Sequence, residues 1–122
     1  MKILLVEDSP EVSLITVEYL TELGHQVVAV ADAELAMEEV ARGPFDAVMT
    51  DVSLPGMSGI DLAKGLIKQY PKLPVVIASG YGTLNIEFLL GNAQPNVLVL
   101  SKPYDMAMLE TTLNKAAVFT DV

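Results

Sequence analysis

Five short apolar runs, each closed by polar or turn-forming residues and parted from the next by a stretch of helical spacing, leave this chain few folds to choose from. The runs cover residues 2–6, 26–31, 46–50, 75–78 and 97–100. Apolar runs of this length bounded by turn signals are strands buried on both faces, the condition of a parallel sheet covered by helices. Ser9-Pro10 opens the first intervening helix, with Ser9 as cap and Pro10 at the first helical position. Val12, Ile15, Tyr19, Leu20 and Leu23 recur at helical spacing along it, and Gly24 stops it. Asp32 caps a second helix that turns Leu35, Ala36 and Val40 inward and ends at Gly43-Pro44. A third helix runs from about Gly59 to Gln69 with Ile60, Ala63, Leu66 and Ile67 on one face. A fourth covers about 84–92, its end weakened by Gly91 and Asn92, and the last covers about 105–118.

Strands alternating with helices imply parallel βαβ units joined by right-handed crossovers. The predicted fold is α/β: a flavodoxin-like, doubly wound, five-stranded parallel sheet of order 2-1-3-4-5 with five helices. It forms a single domain over 1–122, long enough to bury a core, and 52% hydrophobic residues exclude a disordered chain.

In that strand order the first and third strands are neighbours at the switch point, where open α/β sheets bind their ligands. The residues leaving the strands there are polar: Glu7-Asp8 after the first, Asp51 after the third, Ser79 after the fourth and Lys102 after the fifth. Taken singly, each has a bland reading. Asp8 is a helix-entry charge, Glu7 a solvated surface residue, Ser79 a turn hydroxyl and Lys102-Pro103 a loop. Their delivery to one edge is what points to a site.

Carboxylates this close repel one another and need a cation. No Cys exists in the chain and the one His, His25, enters a strand elsewhere, so only oxygen ligands are on offer. Mg²⁺, or Mn²⁺ in its place, suits such a set and bridges readily to phosphate. Lys102 adds a positive charge and Ser79 a hydroxyl for phosphoryl oxygens. The combination describes phosphoryl transfer, with Asp51 as the nucleophile that becomes an aspartyl phosphate.

Composition narrows the setting. A net charge of −9 argues against nucleic acid as a direct partner. No apolar run reaches the roughly 20 residues of a membrane span. The opening segment is too short and too quickly acidic for a signal peptide, and cysteine is absent, so the expected location is the cytoplasm. No repeat, linker or appended tail is visible.

Glu7-Asp8, Asp51, Ser79 and Lys102-Pro103, in this order and spacing, resemble the receiver domain of two-component response regulators along the whole chain. The resemblance implies that Asp51 accepts a phosphoryl group from a phosphohistidine on a histidine kinase or histidine phosphotransfer domain. It implies that Glu7, Asp8, Asp51 and the backbone carbonyl of Ser53 hold Mg²⁺, directly or through water. Ser79 and Lys102 would bind the phosphoryl oxygens and shift the face built by the fourth strand, the fifth strand and the fourth helix. A cis bond before Pro103 is also implied. The chain would be a stand-alone regulator, a phosphorelay shuttle or the receiver of a hybrid kinase, monomeric or dimerising on phosphorylation, with at most weak autophosphatase activity.

Two departures stand out. Val99 occupies the position, three residues before Lys102, where the family commonly carries an aromatic. Tyr81, two residues beyond Ser79, offers a ring that could shield the acyl phosphate instead. Two other readings compete. An aspartyl-phosphate phosphohydrolase of the haloacid-dehalogenase kind wants a second acid two residues after the nucleophile, where this chain has Ser53. A non-phosphorylated binding module would show a lost acid or Lys, or a phosphate-cradling loop where Glu7-Asp8 stands.

Overall fold

The computed structural model describes residues 1–80 and 96–120. Its elements follow in the order β1 (Lys2–Val6), α1 (Pro10–Glu22), β2 (Gln26–Val30), α2 (Ala33–Arg42), β3 (Ala47–Asp51), α3 (Gly59–Gln69), β4 (Val75–Ser79), β5 (Val97–Ser101) and α4 (Met106–Thr120). All neighbouring strands pair in parallel, in the order β2-β1-β3-β4-β5. This is the flavodoxin-like sheet the alternation predicts. The expected helix over 84–92 and Tyr81 lie outside the described residues; α4 is the helix the sequence places last.

Local chemistry starts and stops these helices. The hydroxyl of Ser9 accepts from the Val12 amide at 3.4 Å, the Asp32 carboxylate from Leu35 at 2.8 Å, and the Ser58 hydroxyl from Asp61 at 3.1 Å. Each satisfies one of the amides that a helix start leaves unpaired. Beyond α1, Gly24 adopts a φ of 92°, and the amides of Gly24 and His25 close back on Thr21 and Leu20. Only glycine takes that backbone conformation at no steric cost.

The strands' alternating side chains feed two cores, as a period of two requires. Leu4, Val6, Val48, Val75 and Ile77 meet Ala36 and Val40 of α2 and Ile60, Ala63 and Leu66 of α3. Ile3, Leu5, Met49, Val76 and Leu100 meet Leu20 of α1 and Leu109, Leu113 and Ala116 of α4. Each large side chain so buried contributes roughly 1.5–3 kcal/mol. The described helices therefore take opposite faces of the sheet.

The structure corrects one inward-facing assignment. Leu35 is 43% exposed; the buried stripe of α2 runs through Ala33, Ala36 and Val40, with Met37 packed beside it. That stripe holds the spacing of three and four, and Leu35 falls outside it. On α1, Val12 and Ile15 are exposed, while Thr16 and Leu20 are buried. Thr16 can be buried because its hydroxyl shares a 3.2 Å hydrogen bond with the Tyr104 hydroxyl. A polar residue with a partner thus takes an inward place on α1.

Candidate functional site

Strand register decides which polar residues meet. Val6 of β1 sits opposite Thr50 of β3, so Glu7 and Asp8 leave β1 beside Asp51, the last residue of β3. Asp51 in turn pairs with Ala78, and Ser79 with Ser101, so Ser79 and Lys102 follow at the same edge. Glu7, Asp8 and Asp51 each offer a carboxylate oxygen within 4.8 Å of the others. From the far side Lys102 Nζ donates to Asp51 Oδ1 at 3.0 Å. That pair is sheltered: the Asp51 side chain is 14% exposed and that of Lys102 31%.

Electrostatics follows from this crowding. Burial pushes the Glu7 carboxyl above its ordinary range, and the charges of Asp51 and Asp8 add to the rise. The Ser9 amide, which donates to Glu7 Oε1 at 3.1 Å, and the Lys102 ammonium pull the other way. The cluster carries more negative charge than its one ammonium offsets. A hard divalent cation with oxygen ligands fits this donor set, since it removes the repulsion that the folded chain otherwise bears.

The remaining expected site residues are placed by backbone. Ser79 is buried at the end of β4, and its carbonyl accepts from the Lys102 amide at 2.8 Å. Ser53 lies exposed in the turn after β3. The Lys102–Pro103 peptide is cis. Val99 is half-buried in β5 and packs against the α2–α3 core. Tyr81, outside the described residues, receives no position.

Some residues that shape this corner read in the sequence as ordinary strand, helix-start or loop positions. Thr50 Oγ1 donates to the Asp51 carbonyl at 2.9 Å, and Gly59 packs its Cα against the same carbonyl. Tyr104 ties the β5–α4 connection to α1 through Thr16. A glycine at the first position of a helix that already has a serine cap is the one local signal of such a close approach.

A parallel α/β domain that gathers three acids and a lysine at the carboxyl ends of its strands is a domain built for phosphoryl oxygens and a hard cation. Residues 3–114 match the family model described as the response regulator receiver domain. The chain is 36% identical over 108 residues to the transcriptional regulatory protein TcrA of Mycobacterium tuberculosis, covering 87% of this chain and 42% of that protein. Over 116 residues it is 37% identical to the two-component response regulator PhoP of Pseudomonas aeruginosa, covering 93% of this chain and 50% of PhoP. The aerobic respiration control sensor protein ArcB of Escherichia coli is 32% identical over 117 residues, covering 94% of this chain and 15% of ArcB. Among solved structures, the signal receiver domain of an HD domain-containing protein from Pseudomonas fluorescens superposes with a TM-score of 0.88 at 26% identity. That likeness covers 98% of this chain and 88% of the other.

The chain belongs to the response regulator receiver domain family. It spans half or less of the length of these three relatives, which include response regulators and a sensor protein. Receiver domains are phosphoacceptor switches rather than enzymes with a substrate of their own, and they partner with histidine kinases or phosphotransfer domains. They bind Mg²⁺ at an acidic pocket, and the acidic cluster here matches that habit. Neither the phosphohydrolase nor the degenerate binding module is favoured. Among the described residues no helix is long and apolar enough to cross a membrane.

Proposed function

We propose that Asp51 is the phosphoacceptor of this receiver domain and that the partner's phosphohistidine is the donor. The observation that carries this reading is the Lys102–Asp51 ion pair at 3.0 Å, set against a cluster of three carboxylates. An Asp51 oxygen attacks the phosphorus, the phosphorus–nitrogen bond breaks, and the imidazole leaves with the electron pair. An acyl phosphate remains on Asp51. Lys102 then holds a phosphoryl oxygen in place of the carboxylate it now pairs with, and the Ser79 hydroxyl donates to another.

Glu7, Asp8, Asp51 and the Ser53 carbonyl are the residues that would hold Mg²⁺ in this reading. When bound, the ion neutralises charge that develops on the phosphoryl oxygens. Water attack on the acyl phosphate returns the free carboxylate, a weak self-dephosphorylation. The turn of Ser79 and Lys102 toward the phosphoryl group shifts β4 and β5, and with Val99 in β5 the readout uses no ring at that position. The domain acts as one unit in the cytoplasm, and the output of the whole protein lies with a protein target.

The test is incubation with acetyl phosphate and Mg²⁺, read by intact mass. Wild-type protein gains one phosphate and Asp51→Asn gains none. Equal modification of both proteins, or of neither, rejects Asp51 as the acceptor.

A further inference from the structure

The backbone of Asp51 is gripped from two sides. Its carbonyl oxygen accepts a 2.9 Å hydrogen bond from the hydroxyl of Thr50, a residue with no solvent exposure. On the other side α3 begins against the same peptide. A Cβ on Gly59 would overlap the Asp51 carbonyl oxygen and would lie 2.9 Å from its carbon and 3.0 Å from the Val52 Cα. All three atoms are backbone, so no side chain can swing away to make room. The Gly59 amide meanwhile donates to the Val52 carbonyl at 2.8 Å, closing the turn that carries Ser53. Gly65, six residues further along α3, has open space around it. Helix propensity gives no reason for glycine at either place. Only at Gly59 does packing demand it.

We propose that Thr50 and Gly59 are positioning residues that clamp the Asp51 peptide and thereby hold its carboxylate in line with Lys102 and the acidic cluster. Neither touches the reacting atoms. Each acts through the Asp51 main chain, and Gly59 also through the turn bearing the Ser53 carbonyl. This inference rests on the phosphoacceptor reading for its effect on phosphate uptake, but its effect on the cation site stands apart from that reading. A misplacement of about 1 Å near a reacting group can cost about a hundredfold in rate, and loss of an outer support of a metal site costs about tenfold or more in affinity.

The experiment compares wild type with Gly59→Ala, Thr50→Val, Thr50→Ser and Gly65→Ala. Two quantities are read: the rate of phosphate gain from acetyl phosphate, and the Mg²⁺ concentration at the midpoint of the thermal-stability titration. Circular dichroism and a cooperative melt establish that each variant is folded. Gly59→Ala and Thr50→Val are expected to take up phosphate at least about tenfold more slowly and to need about tenfold more Mg²⁺. Thr50→Ser, which keeps the hydroxyl, returns both values toward wild type, and Gly65→Ala leaves them unchanged. Folded Gly59→Ala or Thr50→Val with wild-type rate and midpoint overturns the clamp, as does a Thr50→Ser no better than Thr50→Val. If Gly59→Ala does not fold, the Thr50 pair decides. If wild-type protein itself gains no phosphate, the phosphoacceptor reading falls, while the Mg²⁺ midpoints still judge the clamp.

Discussion

Replacing Asp51 with Asn asks whether crowding or pairing dominates at the sheet edge, and the distances answer before the experiment does. In the metal-free protein Asp51 faces two carboxylates within 4.8 Å and one ammonium at 3.0 Å. At an effective dielectric of about 20, each repulsion at that outer spacing is about 3.5 kcal/mol and the attraction about 5.5 kcal/mol. Two repulsions outweigh the single attraction, and the exposure of Asp8 and partial exposure of Lys102 shrink both sides. A net relief of about 1 kcal/mol remains, so at neutral pH Asp51→Asn melts above wild type by about 3–6 °C. The sign then reverses in acid. Burial holds the Glu7 pKa above 4.5, so Glu7 takes up a proton as pH falls toward that value and one repulsion disappears. The surviving repulsion is smaller than the Lys102 attraction, and the variant becomes the less stable protein. The assay is a series of melts in chelator at low salt between about pH 7.5 and about pH 5. A variant that melts below wild type at neutral pH, or a gap indifferent to pH, refutes the reasoning.

The Glu7 shift also sets the pH dependence of the wild-type domain. Native Glu7 keeps a proton that the unfolded chain has released, so its contribution to stability falls as pH rises from 4.5 through the raised folded pKa. His25, whose pKa burial lowers from 6.5, works in the opposite sense, so the difference between wild type and Glu7→Gln isolates the carboxyl. Free Mg²⁺ at ten times its dissociation constant adds about 1.4 kcal/mol to wild type and flattens that slope. Tyr104→Phe leaves the buried Thr16 hydroxyl unpaired and costs about 1 kcal/mol by urea denaturation. Adding Thr16→Val recovers most of that loss, and a further loss instead would show that the pair is not coupled. Asn96 donates to the carbonyls of Pro71 at 3.1 Å and Leu73 at 2.8 Å, so Asn96→Ala loses about 2–3 kcal/mol. A melt unchanged by that substitution would rule out a stabilising role for these two hydrogen bonds.

Much of the fold was legible because its signals are local. The caps at Ser9 and Asp32 sit where the sequence puts them, and Gly24 ends α1 by the backbone freedom that glycine alone has. Three strand ends were read one residue short: Asp51, Ser79 and Ser101 belong to β3, β4 and β5 themselves. Pairing carries those strands on past the point where apolar character stops, and pairing is invisible in a single segment. The inward face of α2 was misread at Leu35 for a related reason. Hydrophobic spacing admits two neighbouring stripes on a short helix, and the partner surface chooses between them.

The sequence by itself determined which polar residues stand at the carboxyl edge, because apolar runs and turn chemistry are written in adjacent residues. It also determined that the edge would be acidic with a lysine beside it. Only the tertiary structure decided that Lys102 reaches Asp51, that Thr16 is buried under Tyr104, and that Gly59 lies against the peptide of Asp51. Each of those depends on register and on how a helix lands on the sheet. Such contacts join residues far apart in the chain, and their geometry exists only once the crossovers have closed.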